Sequence, residues 1–218
     1  MDRILEPEIM DGRAAAVAYA RADFSDSNAA YVKHLIEGFP EHLSRIIDLG
    51  CGPADIPLRI ARAVRSAQIT AVDGSAEMLA IAHDAARAAH LDGRVTLCRG
   101  RIPGLALPAH DFDAVLSKDM LHHLPDPQVL WQEARRLLRP GGLIYVADLI
   151  RPGSPLEARE IVTRVAARED PILQEDFYNS LCAAFTVEEV RAQLRAAGLQ
   201  LEVHHRGDRH MTIQGLLA

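Results

Sequence analysis

Long apolar runs, cysteine and positive charge are all scarce in this sequence, and each scarcity excludes a class of protein. No stretch approaches the ~18 uninterrupted apolar residues of a membrane-spanning helix, so no membrane association is expected. The opening Met1-Asp2-Arg3-Ile4-Leu5-Glu6-Pro7 carries acids where a signal peptide needs a basic and then an apolar run. The three cysteines, Cys51, Cys98 and Cys182, are odd in number, widely spaced and without a CxxC pair. They read as reduced thiols of a cytoplasmic protein. The formal net charge is −6, and the 24 Lys+Arg residues, mostly arginine, are spread along the chain. Without a basic stripe to displace counterions, nucleic acid is not an expected partner.

What remains is an ordinary soluble composition, 49% apolar and 25% charged over 218 residues. That length suits one domain, residues 1–218, which buries roughly 70% of the surface its unfolded chain exposes. Apolar strands alternate with helical patterns along it. Arg45-Ile46-Ile47-Asp48-Leu49 is a short strand ended by Gly50-Cys51-Gly52, and residues 54–64 then place Ile56, Ile60 and Val64 on one helical face. Strands follow at 68–73, 94–98 and 112–117, with Ser75 capping an Ala-rich helix that runs to about His90. Asp126-Pro127 reads as a cap with proline at the first helical position, and Arg139-Pro140-Gly141-Gly142 as the stop of that helix. Residues 143–147 form a fully apolar strand suited to a sheet centre. Ser154 with Glu157, and Thr186 with Glu189, fit capping boxes. Residues 199–203 and 210–213 are too close for an intervening helix and form a hairpin. The expected fold is α/β: a doubly wound, mostly parallel seven-stranded sheet with an antiparallel last strand. Residues 1–40 and 155–184 fall outside the alternation. They are expected as helical caps over the carboxyl edge of the sheet, where such folds bind ligands.

The turn Gly50-Cys51-Gly52 brings backbone close to a ligand, and its neighbours narrow the ligand's charge. Asp55 stands where a dinucleotide site wants a third glycine, and Asp48 precedes the first glycine by two residues. Two acids would repel a pyrophosphate and attract an ammonium and a sulfonium. Asp73 ends the second strand, where a carboxylate can accept from both hydroxyls of a ribose. Met78, on the first turn of the next helix, can pack on an adenine face.

These residues resemble the class I S-adenosylmethionine-dependent methyltransferases, over residues 45–148. The resemblance runs through Ile47-Asp48-Leu49-Gly50-Cys51-Gly52, then Val72-Asp73-Gly74-Ser75 with Met78. It continues in Leu121-His122-His123-Leu124-Pro125-Asp126 and Leu138-Arg139-Pro140-Gly141-Gly142. It implies S-adenosylmethionine as cofactor, with Gly50, Cys51 and Gly52 near its methionyl part and Asp48 organising the ammonium end. It implies Asp73 and Gly74 at the ribose, Arg101 and Ile102 beside adenine, Ser117 and Lys118 near the sulfonium, and Tyr19 over the cofactor. One departure is Gly100-Arg101 where many relatives carry Gly-Asp. Arginine cannot accept a hydrogen bond from the adenine amino group, so adenine must be read by backbone or stacking.

The resemblance further implies methyl transfer to a small-molecule acceptor by in-line displacement, in which positioning alone can supply roughly 7–11 kcal/mol. A base is needed only for an acceptor that arrives protonated. The candidates are Asp148, at the end of the fifth strand and facing an acceptor pocket, His122 after the fourth, and Tyr178 in the 155–184 segment. The bland alternatives are bonds to nearby loop amides for Asp148, a structural role for His122, and packing on the sheet edge for Tyr19. His204-His205 lies on a strand, where neighbours face opposite ways, and Ser117-Lys118 replaces the converging acids of a magnesium-dependent enzyme, so no metal is implied. The rival readings are a non-catalytic S-adenosylmethionine-binding regulator or partner subunit, and a dehydrogenase on the same fold, which Asp48 and Asp55 disfavour. The sequence carries no signal for oligomeric state.

Overall fold

The computed structural model describes residues 1–6 and 12–217. In chain order the elements are α1 (Arg13–Arg21), α2 (Ser25–Gly38), β1 (Arg45–Leu49), α3 (Asp55–Ala63), β2 (Gln68–Asp73), α4 (Ala76–Ala88) and β3 (Val95–Arg99). They continue as β4 (Phe112–Lys118), α5 (Gln128–Leu137), β5 (Leu138–Leu149), α6 (Pro155–Val165), α7 (Pro171–Ala183), α8 (Val187–Ala197), β6 (Glu202–Arg206) and β7 (His210–Leu216). Short 3-10 turns occupy Pro40–His42 and Leu121–His123. The seven strands form one sheet in the order β3-β2-β1-β4-β5-β7-β6. Strands β1 to β5 pair in parallel, while β7 runs antiparallel to both β5 and β6. The order reverses direction between β1 and β4, which opens a crevice at their carboxyl ends.

Side chains of successive strand residues point to opposite faces, so each strand feeds two cores. Ile46, Ile69, Ala71, Ala114, Leu116, Leu143 and Tyr145 face α2, α3 and α4. Ile47, Val72, Val115, Ile144 and Val146 face α5 and α8. Helix α2 is anchored in the first core by Tyr31, Val32 and Leu35, and the Tyr31 hydroxyl donates to the Tyr145 carbonyl at 3.0 Å. On the other face the fully buried Trp131 donates from Nε1 to Gln193 Oε1 at 3.2 Å. A third cluster joins Leu149 to α6 and α7, whose Leu181 and Cys182 are buried.

The N-terminal residues 1–6 form a strap across this third cluster. Ile4 N–H donates to Cys182 O at 3.0 Å, and the Arg3 guanidinium donates to the carbonyls of Ala183, His122 and Leu124. Arg151 has a buried side chain. It ties Met1 O, Ala184 O and Glu189 together.

Three local expectations are corrected. Arg139-Pro140-Gly141-Gly142 does not end in a loop but opens β5, because Gly141 N–H and Gly142 O pair with Leu217. Pro127 is the N-cap rather than the first helical residue, although Asp126 Oδ1 still accepts from Gln128 N–H at 2.9 Å. The Ser154 box is half formed: Ser154 accepts from Glu157 N–H, but Glu157 reaches Gly153 instead of the cap residue. The Thr186–Glu189 box is complete, and α8 ends on Gly198 in the left-handed region, as a glycine stop should.

Candidate functional site

The crevice is built on the turn after β1. Gly50 and Gly52 hold φ of +77° and +51°, a region that side-chain-bearing residues resist. A Cβ on Gly50 would also lie 2.8–2.9 Å from Met120, so the turn is pressed against the loop after β4. The N–H groups of Gly50 and Cys51 both donate to Val72 O at 2.9 Å. Asp73, at the tip of β2, accepts from Gly52 N–H and from Ser75 N–H, each at 2.8 Å. This pair of bonds turns the carboxylate toward the glycine turn. Ser75 caps α4 by accepting from Met78 N–H.

Above the turn lies a cavity of about 390 Å³, walled by Asp48, Gly50, Cys51, Gly52, Lys118 and Asp119 below and by Tyr19 and Phe24 above. The Tyr19 and Phe24 rings sit 4.8 Å apart, and Tyr19 Cε1 would lie 3.9 Å from a Cβ on Gly52. Asp48 is 2% exposed. Burial, and then the charge of Asp73, push its carboxyl up to about 7, with Lys118 pulling the other way. Burial would also raise Asp119, but Lys118, His210 and His122 outweigh it and hold Asp119 below the usual range. Asp119 takes a left-handed φ of +55° and pairs with Lys118 Nζ.

A second cavity, about 320 Å³, shares Lys118 with the first. Its floor is Tyr31, Tyr145 and Ala147, and its wall is the β6–β7 hairpin with Arg206, Arg209 and His210. Asp208 in that hairpin is paired with Arg164 and Arg209. Burial lowers the His210 pKa, Lys118 and Arg209 lower it further, and Asp119 opposes them.

Comparison with known proteins matches residues 47–146 to a family described as "Methyltransferase domain". A 27-O-demethylrifamycin SV methyltransferase of Amycolatopsis mediterranei (strain S699) is 30% identical over 158 residues, 72% of this chain and 54% of that protein. A ubiquinone biosynthesis O-methyltransferase of Xanthomonas axonopodis pv. citri (strain 306) is 32% identical over 162 residues, 73% of this chain and 64% of that protein. The chain thus spans about half to two-thirds of the length of these relatives. Among solved structures, an S-adenosylmethionine-dependent methyltransferase from Aquifex aeolicus superposes with a TM-score of 0.72 at 16% identity, over 93% of this chain and 98% of that one. The [4+2]-cyclase SpnF superposes with a TM-score of 0.63 at 24% identity, over 94% and 65%.

Residues 47–146 are a methyltransferase domain, and the chain carries the fold of the S-adenosylmethionine-dependent methyltransferases.

The family's cofactor fits the first cavity on this chain's own chemistry. A carboxyl buried at Asp48 and pushed toward neutrality is suited to a cationic ligand, and the left-handed glycines leave the backbone bare above it. The structure gathers Tyr19, Asp48, Gly50, Cys51, Gly52 and Lys118 around that cavity, with Asp73 bonded to its rim. Gly74 and the buried Met78 follow Asp73 on the next turn. Ser117 is placed differently from its expectation: it is fully buried and donates to Leu49 O at 2.9 Å, holding β4 against β1. Ile102 packs into the core beside α5, and Arg101 lies exposed after β3, neither of them on the cavity wall.

The three catalytic candidates are not brought together on either cavity. Asp148 does not face an acceptor pocket. It is 1% exposed and accepts from Leu121 N–H, His122 Nδ1 and Leu149 N–H at 2.7–2.8 Å, so it organises the 3-10 turn Leu121–His123. His122 is buried in that turn, and the neighbouring His123 is pushed down to about 3 by burial and by His122. Tyr178 stacks under the Arg159 guanidinium at 4.0 Å and packs on the third cluster. Asp55, read as an acid repelling pyrophosphate, is paired with Arg59 at 2.6 Å and accepts from Asn28 at 2.8 Å. Asp55 lines the first cavity, but its charge is offset by Arg59, so the electrostatic argument against a dinucleotide rests mainly on Asp48. The second cavity and His210 went unread, because their walls come from α2, β5 and the terminal hairpin.

Proposed function

We propose that this methyltransferase-fold chain transfers a methyl group from S-adenosylmethionine to the oxygen of a small-molecule acceptor. The observation that carries the reading is the pair of cavities meeting at Lys118 on the β4 tip, one built for a cationic adenosyl ligand and one adjoining it. The names of the matched relatives, one of them an O-methyltransferase, support oxygen as the accepting atom. When bound, the cofactor supplies a methyl on a sulfonium whose leaving group is a neutral thioether.

The chain's own residues bind, orient and manage a proton. Asp48 holds the ammonium end, the Gly50–Gly52 turn lies along the methionyl part, and Asp73 holds the ribose. Gly74 and Met78, next to Asp73, border the nucleoside, and Tyr19 with Phe24 covers it. The acceptor lies on Tyr31 and Tyr145, and the arginines of the hairpin suit one that carries an acidic substituent. His210, kept neutral by burial, is placed to take the acceptor's proton, and the Asp119 charge favours the imidazolium that results. In this arrangement the 218 residues are one domain, and α1 closes the site over the first cavity. Its setting is cytoplasmic: Cys51, Cys98 and Cys182 are all free, and among the described residues no helix is long and apolar enough to cross a membrane.

The test is calorimetric titration with S-adenosylmethionine, S-adenosylhomocysteine and NADH, followed by radiolabelled methyl transfer to a panel of phenolic and carboxylated acceptors. Both adenosyl ligands should bind, Asp73→Ala should weaken them at least about tenfold by removing a charged acceptor, and label should appear in an acceptor. Binding without transfer to any acceptor would favour a regulator, and NADH binding alone would overturn the cofactor assignment. SpnF, a cyclase on this fold, shows why transfer itself must be measured.

A further inference from the structure

Beside the cavities, and outside both, the strap and the 3-10 turn place three ligand-type side chains around one point. Glu6 Oε2 lies 3.2 Å from His123 Nδ1 and 3.9 Å from His122 Nε2, and all three atoms fall within 4.8 Å of one another. Among the described residues neither nitrogen has a hydrogen-bond partner, although both are buried and His122 is only 2% exposed. Buried polar atoms are nearly always satisfied, so two adjacent orphans need an explanation. The other nitrogen of His122, Nδ1, is 2.7 Å from Asp148 Oδ1, a carboxylate that is itself fixed by two backbone N–H groups. Such a carboxylate–histidine pair fixes the ring's tautomer and directs the Nε2 lone pair outward, the usual arrangement behind a metal ligand.

We infer that Glu6, His122 and His123 form a binding site for a divalent transition cation of the zinc class. Two imidazoles and one carboxylate suit zinc or cobalt rather than magnesium or calcium, which prefer oxygen alone. With metal–ligand bonds of about 2.0–2.1 Å, tetrahedral ligand atoms stand roughly 3.3 Å apart. Glu6 and His123 already meet that separation, and His122 needs to close on Glu6 by roughly half an ångström. The fourth position is open to water or another ligand. The site's consequence is mechanical. The cation would bind the strap, through Glu6, to the turn that follows Lys118 and Asp119, and so would steady the wall shared by the two cavities. The sequence implied no metal because Glu6 is remote in the chain from the two histidines.

The experiment uses the full, untagged chain, stripped with a chelator and titrated with Co²⁺ and, by calorimetry, with Zn²⁺; Mg²⁺ is the control. One cation per chain should bind, Co²⁺ should give the visible absorption bands of a tetrahedral site, and Mg²⁺ should give no heat. Glu6→Gln and His123→Ala, which leave the Asp148 bonds in place, should each weaken binding by about tenfold or more. Circular dichroism and thermal unfolding confirm that each variant folds. The inference is overturned if no cation binds, or if binding and bands persist in both variants. In either case the three side chains are a polar contact between strap and turn.

Discussion

A carboxyl group at Asp48 is placed where ionisation is costly, and the sign of that cost can be measured. Its folded-state pKa of about 7 stands above the ordinary value of 3.8, so between these limits the folded chain binds the additional proton. Stability of the ligand-free protein should therefore be highest toward the lower limit and decline as pH rises toward 7. Asp48→Asn removes the penalty, and thermal unfolding at pH 8 should show a gain on the order of 1–3 kcal/mol that shrinks at pH 5. The same variant should bind S-adenosylhomocysteine more weakly, because the ammonium loses its counter-charge. Cofactor binding near pH 6.5 should release a proton, seen as a calorimetric enthalpy that varies with the buffer. His210 makes the complementary case. Its lowered pKa leaves it neutral, and so active as a base, to lower pH than an ordinary histidine. His210→Gln should reduce kcat on a hydroxyl acceptor by about a hundredfold, with the acid limb of the pH profile lost; a KM effect alone would make it a binding residue. At this scale the positions of the glycine turn, Asp48 and Asp73 at the ends of β1 and β2 were legible because their signals are local. Asp148 was correctly placed at the carboxyl edge, yet its role was misread. Nothing in the sequence shows that Leu121, His122 and Leu149 use up its oxygens.

Among the elements, α8 shows how a short local signal is converted into packing. The reciprocal bonds of Thr186 and Glu189 fix its first turn, and Val187, Val190 and Leu194 then enter the core against α5. Thr186→Ala should cost about 1 kcal/mol, read as a lower denaturant midpoint at unchanged slope, with cofactor affinity unaffected. The element pattern was legible for the same reason: alternation and caps are encoded within a few residues. The start of β5 was not. Proline and two glycines look like punctuation, and only Leu217, at the opposite end of the chain, turns them into strand. Helix α2 lies between these cases, since its apolar spacing at Val32 and Leu35 was readable while the Tyr31 bond to Tyr145 was not.

For the whole molecule, the two cavities sit on opposite sides of one lysine but on unequal foundations. The first rests on β1 and β4, at the centre of the sheet, where neighbours pair on both sides. The second is closed by β6 and β7, and β6 is an edge strand bonded to β7 alone. The turn at 207–209, between Arg206 and the retained His210, can therefore be exchanged without disturbing either packed core. A chimera carrying another sequence there should keep its affinity for S-adenosylhomocysteine while its ranking of acceptors changes; parallel loss of both would show that the cavities are not independent. On this architecture the acceptor wall is free to diverge while the cofactor floor stays constrained. A lineage could then acquire new substrates by editing one turn beside a retained His210, with no loss of the chemistry it already performs.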